Sequence, residues 1–361
     1  MTRIIEFLIA LGIVVGLAIL IGLVLPDERH LSESVETNRK MTIVYDTVNS
    51  FHRFKDWNPI ALRDPKVKLK LSGPDAGKGA RLDYSSTERS IGDGSWTITS
   101  SEPDKSVVIA VDSPSNGHDK TVTFTLEPTG KNNRNVKITQ EYDVKYGWNL
   151  LGRYAGLYVG SQVGDDLKLG IARLANILAT VPNFDYRAEY DGKPVLADLH
   201  VADVPAESLL VVNAGNIDRD NDTIERSIKN NQEWIKRVMD ANDLEPAGPV
   251  RIITTDFGAE KYAFDVAQPV KKKGAADGSA DLKLAIPSGA PVQYVHAEPH
   301  RAAMASYVGH MAGLDTARNA LRAWATTAGY DVTDRPYESW KGGVDKGFTQ
   351  DGSYDIYWAI K

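Results

Sequence analysis

A glutamate flanked by aromatic residues near the end of the chain is a candidate for ligand binding or catalysis. In the segment Pro336-Tyr337-Glu338-Ser339-Trp340, the carboxylate of Glu338 lies between a tyrosine and a tryptophan in sequence. Aromatic faces attract cations, and removal from water raises the pKa of a carboxyl group. Such a site suits either cation binding or general-base catalysis. The alternative is that Glu338 is a surface residue on an exposed strand.

Residue types and spacing exclude several other chemistries. The chain has no cysteine, which excludes disulfides, thiolate zinc sites and cysteine nucleophiles. His296 and His300 are four residues apart, but they enclose Pro299 in a strand-like region, where that spacing exceeds about 12 Å. They therefore cannot share one zinc ion. No phosphate-binding loop, dinucleotide fingerprint or nucleophile elbow is present, so the sequence predicts no metal and no cofactor.

Charge and length bound the class of protein. The formal net charge is -6, whereas proteins that bind duplex nucleic acid carry a basic face, so we expect no nucleic-acid partner. A hydrophobic content of 42% and a charged content of 25% are typical of folded proteins. The 361 residues exceed a comfortable single core, which favours two soluble domains.

An uncharged apolar run from Phe7 to Leu25 predicts a transmembrane helix over residues 1–30. As a helix it extends about 29 Å, close to the ~30 Å hydrocarbon core of a bilayer. A cleaved signal peptide is the rival interpretation, but the run is long and no A-x-A-like site precedes Pro26. Arg3 before the run, with Asp27 and Glu28 after it, places the N-terminus in the cytoplasm by the positive-inside rule. The expected localisation is single-pass in the inner membrane, with periplasmic soluble domains.

The elements that follow, over residues 31–182, predict an α+β domain. After a polar stretch to Glu36 come short β-type segments broken by turn signals, and then one helix whose apolar residues recur at the helical period before Pro182. The predicted strands are Thr42–Tyr45, Val67–Leu71, Ala80–Tyr84, Ser95–Ser100, Ser106–Val111, Thr121–Leu126 and Val136–Val144. An antiparallel sheet that curls around a helix can enclose an apolar cavity.

This segment resembles the START-like, helix-grip superfamily in its polyketide cyclase/dehydrase branch. The match is distributed over Asp56-Trp57-Asn58-Pro59, Gly77-Lys78-Gly79-Ala80, Gly92-Asp93-Gly94-Ser95-Trp96 and the long terminal helix. The resemblance implies a hydrophobic cavity for a lipid, aromatic or polyketide-like molecule. Of the aromatic residues on these elements, Trp57 and Tyr84 are the candidates for its lining, although aromatic residues on strands are more often plain core.

Catalysis in such a cavity needs an acid or a base. The candidates by residue type are the four carboxylates Asp56, Asp83, Glu88 and Asp93. The sequence does not choose among them, and surface solvation is the simpler expectation for each.

Residues 183–361 contain a weak internal duplication. Each half reads as a strand, a helix and two further strands, and a lysine-rich, glycine-containing loop from Lys271 to Asp281 separates the halves. The helices carry apolar stripes at the 3.6-residue period. Asp222 and Asp315 are the expected helix caps.

This region resembles the GyrI-like effector-binding domain, in which two such halves hold a small molecule between them. In that family an acidic residue in a Pro-x-Glu context commonly faces the pocket, and Pro336-Tyr337-Glu338 matches it. The resemblance implies aromatic companions for Glu338, for which the candidates are Tyr337, Trp340, Tyr307, Trp324 and Tyr357.

Together these features predict a membrane-anchored protein that binds a small hydrophobic or cationic molecule in two pocket domains. The rival hypothesis is an enzyme of cyclase or hydrolase type with Glu338 as acid or base. A purely structural or interaction protein is the third class, and it predicts filled cores without cavities.

Overall fold

The computed structural model describes residues 2–190, 192–276 and 280–361. The undescribed residues fall in the predicted anchor, the connector before the second domain and the lysine-rich loop, so those parts of the predictions lie outside the described residues. The chain divides into two compact units, Met1–Val181 and Pro182–Lys361. Large antiparallel sheets with packed helices form both, which confirms the predicted α+β class.

Helix α1, Thr2–Val24, contains the apolar run. An 18-residue window within Arg3–Val24 has a mean hydropathy of 3.0, and among the described residues this is the one helix long and apolar enough to cross a membrane. A signal sequence has the same length and composition. Nearly every side chain of α1 is exposed, and Gly22 is the buried exception.

A seven-stranded antiparallel sheet forms most of the first unit, in the order β1-β7-β6-β5-β4-β3-β2. Its strands are β1 Glu28–Thr37, β2 Lys68–Ser72, β3 Arg81–Ser85, β4 Asp93–Glu102, β5 Ser106–Asp112, β6 His118–Thr129 and β7 Asn135–Lys145. The helices are α2 Met41–Val48, α3 Phe54–Trp57, α4 Pro59–Arg63, α5 Leu150–Ala155 and α6 Val159–Thr180. Turns of 3₁₀ helix cover Lys131–Asn133 and Gly156–Tyr158.

The terminal helix α6 packs its apolar stripe on the sheet, as its period predicts. The buried residues are Gly164, Leu167, Gly170, Ile171, Leu174 and Leu178. Its last turn is held by Arg39, which donates to the carbonyl oxygens of Leu178 at 3.0 Å and Ala179 at 2.6 Å. A cation at the negative end of a helix satisfies carbonyls that the helix itself leaves unpaired.

Two local predictions in this unit are wrong. Thr42–Tyr45, predicted as a strand, lies in helix α2, because burial of nearly its whole surface overrides the strand preference of β-branched residues. The polar stretch before Glu36 is strand β1, paired with β7 over its full length. It is an edge strand, where charged residues are common and the apolar signal is weak.

The second unit repeats one arrangement. Its nine-stranded sheet runs β10-β16-β18-β17-β13-β14-β11-β15, with β12 paired to β14 beside this path. The halves join where β13 pairs with β17, and the leading strand of each half lies on the other half, since β10 pairs with β16 and β15 pairs with β11. The strands are β8 Glu189–Tyr190, β9 Lys193–Pro194, β10 Ala197–Val204, β11 Glu207–Asp218, β12 Leu244–Pro246, β13 Arg251–Phe257, β14 Lys261–Lys272, β15 Val292–Ala297, β16 His300–Val308, β17 Tyr337–Trp340 and β18 Ser353–Ala359. The helices are α7 Asn221–Ala241, α8 Leu314–Thr327 and α9 Gly343–Gly347, and Met311–Gly313 is a 3₁₀ turn.

The helix starts differ from the predicted caps. Asp220, not Asp222, caps α7, and its side chain accepts a hydrogen bond from the backbone of Thr223. Asp315 lies in the first turn of α8 after the N-cap Gly313, which has no side chain to cap with. The sequence spacing was compatible with both positions, and only the backbone decides which residue precedes the first turn.

Candidate functional site

A cavity lies between the first unit's sheet and helix α6. Its volume is about 160 Å³. A cavity of roughly 150 Å³ accommodates one benzene ring, so this one has room for a single ring. Its lining comprises Asn58, Pro59, Ile60, Tyr84, Trp96, Val111, Ser113, Ser115, Val122, Gln140, Tyr142, Val163, Asp166 and Leu167.

Strand alternation puts the key side chains on one face of the sheet. Gln140 and Tyr142 are two residues apart on β7, so both point toward α6. On β3, Tyr84 reaches over Gly94 of the neighbouring strand, where a Cβ atom would lie 2.3 Å from the tyrosine hydroxyl oxygen. A glycine at position 94 therefore leaves the space that the phenol occupies.

The two tyrosines of the cavity stay protonated far above neutral pH. Burial, assisted by Asp112 and Asp93, raises the pKa of Tyr84 to about 12. Burial also raises the pKa of Tyr142 well above its ordinary value, with smaller contributions from Tyr146 and Tyr84. Both phenols are thus neutral groups able to donate a hydrogen bond to a ligand.

Two polar atoms on the lining residues lack partners. The Oε1 atom of Gln140 and the Nε1 atom of Trp96 are buried and, among the described residues, have no hydrogen-bond partner. A buried polar group without a partner costs free energy, typically ~1–3 kcal/mol. Both Gln140 and Trp96 belong to the cavity lining, and each keeps one polar atom that the described residues leave unsatisfied.

Charged residues border the same cavity. Asp166 of α6 pairs with Arg63 of α4. Burial raises the pKa of Asp166, and Arg63 offsets part of that rise. The Nζ atom of Lys120 donates to the carbonyl oxygens of Ser113 at 2.8 Å and Ser115 at 2.6 Å, which fixes the loop on the cavity rim.

Of the two residues of the first unit that were candidates for the cavity lining, one lines the cavity and the other lies in the core. Tyr84 is among the residues that line the cavity. Trp57 is a core residue, with ring centroids 5.8 Å from Phe54, 6.4 Å from Trp96 and 5.8 Å from Phe124. It is absent from the lining.

None of the four candidate carboxylates is among the residues that line this cavity. Asp56 pairs with Arg53, and Asp83 pairs with Arg81 on an exposed part of β3. Glu88 and Asp93 are exposed.

The cavity residues that sequence reasoning passed over are Gln140 and Asp166. A polar residue at an inward position of β7, between Ile138 and Tyr142, was the available signal for Gln140.

Glu338 of the second unit is buried and already paired. Its exposed fraction is 0%, which rejects the surface alternative. Arg318 of α8 donates from Nε to Oε1 at 2.5 Å and from Nη2 to Oε2 at 3.1 Å. Burial by itself lowers the pKa of Arg318, but the charge of Glu338 and its hydrogen bonds with the guanidinium more than offset this and raise it. The carboxylate is therefore neutralised by the protein's own cation.

The aromatic companions of Glu338 do not share one face. Neighbouring residues on a strand point to opposite faces, so Tyr337 lies across the sheet from Glu338. Tyr337 stacks on Tyr357 with ring centroids 4.9 Å apart, and Arg251 lies over the Tyr337 ring at 4.9 Å. Burial raises the pKa of Tyr337. The predicted single pocket that contains all of these residues is not formed.

Two of the remaining candidates, Trp340 and Tyr307, pack on Tyr354. Trp340 is almost fully buried and contacts Tyr354 edge-on at 5.2 Å, and Tyr307 stacks on the same Tyr354 at 5.7 Å. Trp324 of α8 is half-buried. Trp340 and Tyr307 therefore pack around the fully buried Tyr354, which alternates with the buried Ile356 along β18.

Comparison with known proteins finds only weak structural similarity. No family model and no curated protein sequence matches the chain. The C-terminal domain of EcmrR aligns with a TM-score of 0.35 at 15% identity, over 45% of this chain and 97% of that one. A norcoclaurine synthase of Thalictrum flavum, solved with a transition-state analogue, gives 0.33 at 12% identity, over 42% and 94%. Protein Ms6760 from Mycobacterium smegmatis gives 0.30 at 16%, over 43% and 98%. Likeness at this level assigns neither a family nor a ligand.

Proposed function

We propose that the chain is a membrane-anchored binding protein whose first unit holds a small, mostly apolar ring compound. The observation that carries this is the pair of unpartnered polar atoms, Gln140 Oε1 and Trp96 Nε1, on the residues lining an otherwise largely apolar cavity. A ligand with one donor and one acceptor satisfies both atoms while its ring fills the space. Ligand pockets combine apolar walls with a few fixed polar groups in this way.

The role of helix α1 as an anchor is supported by its contacts with the rest of the first unit. The guanidinium of Arg153 donates to the carbonyl oxygens of Leu23 and Leu25, each at 3.0 Å. These carbonyls at the helix end have no partner within the helix. A helix gripped in this way is part of the folded unit, which favours a retained anchor over a cleaved signal peptide. The proposed orientation keeps both units in the periplasm.

Catalysis by Glu338 is the less favoured function. A general base must reach the proton that it removes, but Glu338 is fully buried, and both of its carboxylate oxygens are paired with the guanidinium of Arg318. Binding of a cationic ligand at Glu338 requires Arg318 to withdraw first. We therefore assign the ligand to the first unit and keep Glu338 as a structural residue.

The test is the identification of small molecules bound to the full chain in detergent by native mass spectrometry. We expect a bound molecule in the wild type and its loss in Val122→Phe, which fills the cavity. The control is Thr123→Phe, one residue along β6 and on the opposite face, which must retain the molecule. Equal occupancy in all three proteins, at equal thermal stability, refutes the cavity as the binding site.

A further inference from the structure

The stretch from the end of β7 into the first turns of α6 is almost free of charge. Residues 146–164 read YGWNLLGRYAGLYVGSQVG, and Arg153 is the one charged residue in it. Arg153 is itself buried, at 9% exposure. Four large apolar or aromatic side chains of the stretch are exposed: Trp148 at 85%, Leu151 at 82%, Tyr158 at 64% and Leu157 at 52%. Soluble surfaces rarely group such side chains without a partner.

This stretch is fastened to the C-terminal part of helix α1. Besides its bonds to Leu23 and Leu25, Arg153 donates to the carbonyl oxygen of Gly22 at 3.4 Å. The Tyr154 hydroxyl donates to the carbonyl oxygen of Ala18 at 2.6 Å. Gly22 permits the close approach, since a Cβ atom there would lie 3.3 Å from both Leu150 and Tyr154.

The position of Ala18 sets the depth of the stretch. Ala18 precedes Leu25, the end of the apolar run, by seven residues, which is about 10 Å along a helix. If the apolar run spans the bilayer, the Tyr154 hydroxyl lies about that far inside its boundary. Leu151, on the same short helix α5, then meets lipid, not water.

We infer that residues 148–158 form a second membrane contact, which seats the first unit on the lipid surface beside α1. The occupant of this apolar surface is the bilayer, because the surface is continuous with the side of the membrane helix. Tryptophan and tyrosine prefer the interface between hydrocarbon and headgroups, and Trp148 and Tyr158 supply that preference at the two ends of the stretch.

This second membrane contact rests on the anchor in the proposed function, and it makes the bilayer the source of the ligand. Helix α6 begins at Val159, and its first turns supply the cavity residues Val163, Asp166 and Leu167. Arg29, at the start of β1, donates to the carbonyl oxygen of Gly156 at 3.1 Å, so this end of the unit is the end that meets α1. The cavity therefore lies toward the bilayer, and a membrane-soluble ring compound reaches it without crossing bulk water.

The absence of cysteine makes the test direct, since one introduced cysteine gives one label. Spin labels are attached to full-length Leu151→Cys, Leu157→Cys, Ile13→Cys and Leu71→Cys in phospholipid nanodiscs. Their accessibility to oxygen, which concentrates in hydrocarbon, is compared with accessibility to a water-soluble nickel chelate. Leu71 is the control, because it is 46% exposed on β2, at the other edge of the sheet from β1.

We expect the ratio of oxygen to nickel accessibility at 151 and 157 to match that at 13 and to exceed that at 71 several-fold. Water-exposed labels at 151 and 157, with a lipid-exposed label at 13, overturn the second membrane contact and leave the anchor intact. Labels at 151 and 157 closed to both reagents indicate a protein partner and also overturn it. A water-exposed label at 13 refutes the anchor itself, and none of these outcomes depends on ligand binding in the cavity.

Discussion

Arg318 and Glu338 form a fully buried ion pair that ties helix α8 to strand β17. Their side-chain exposures are 4% and 0%, and two hydrogen bonds join the groups. The Nη1 atom of Arg318 is buried without a partner among the described residues. The pair therefore holds the second half of the repeat together without satisfying every donor.

Removal of one partner leaves the other charge buried and unpaired. We expect Arg318→Met or Glu338→Gln to lower the free energy of opening of α8 and β17 by about 3–5 kcal/mol. Hydrogen-exchange mass spectrometry of the full chain reports this on peptides from those two elements. The double variant Arg318→Met with Glu338→Leu should cost less than either single change, because no unpaired charge remains. Single-variant losses below about 1 kcal/mol contradict the assignment.

Replacement of Gln140 by leucine should separate stability from binding. Leucine removes the unpartnered acceptor, so we expect the free protein to gain up to about 1–3 kcal/mol. The same change removes a ligand contact and should weaken binding roughly tenfold, which corresponds to about 1.4 kcal/mol. Thermal unfolding and competition against the co-purified molecule measure the two effects. Thr139→Leu, on the adjacent outward position of β7, is the control, and an equal affinity loss there would count against the role of Gln140.

The stability of the first unit should depend on pH through Asp166. Because burial raises the pKa of Asp166, the native state binds its proton more tightly than the unfolded chain does. The resulting stabilisation is complete below the ordinary pKa of aspartic acid and is lost as pH rises through the raised value. Asp166→Asn has no such carboxyl group and does not suffer this loss. As the pH rises from the ordinary pKa of aspartic acid through the raised pKa of Asp166, the melting temperature of the variant should therefore rise relative to that of the wild type.

Asp165→Asn is the charge-matched control for Asp166→Asn, because Asp165 is the exposed neighbour on the same helix. Melting curves of the three proteins from pH 3 to pH 7 make the comparison. A pH-independent difference between Asp166→Asn and the wild type contradicts the burial of that carboxyl group.

Two glycines on the same loop should respond differently to alanine. Gly73 and Gly77 have φ angles of 78° and 76°, so a side chain is strained at either position, at a cost of order 1–3 kcal/mol. At Gly73 a Cβ atom would also lie 2.4 Å from the backbone oxygen of Gly79, whereas at Gly77 the nearest atom is 3.9 Å away. We expect Gly73→Ala to lower the melting temperature more than Gly77→Ala does. The reverse order would contradict this turn geometry.

Local periodicity predicted the long helices well. The stripes Leu167, Ile171, Leu174 on α6 and Ile224, Ile228 on α7 are buried as expected. Each stripe is a property of consecutive turns, so it is readable without knowledge of the partner surface. The α2 segment lacked this support, because eight residues are too few for the period to outweigh β-branched composition.

The candidate site was harder to predict from the sequence than the helices were. The sequence singled out Glu338 as a carboxylate that faces a pocket, but its partner Arg318 is twenty residues away and carried no motif. Gln140 and Asp166 meet at the cavity from a strand and a helix that are separated by the whole of α5. Such pairings depend on strand register and helix docking, which distant parts of the chain fix together.

The sequence by itself determined a membrane-length helix, an α+β chain and the apolar faces of its elements, because these follow from the order of residues within one helix or strand. Only the tertiary structure decided which charges neutralise each other and which polar atoms stay unpartnered. The free carboxylate expected at Glu338 became a buried ion pair, and the binding proposal moved to Gln140 and Trp96. The physical reason is that the free energy of a buried polar group is set by the few atoms that surround it, and the fold brings those atoms from separate elements.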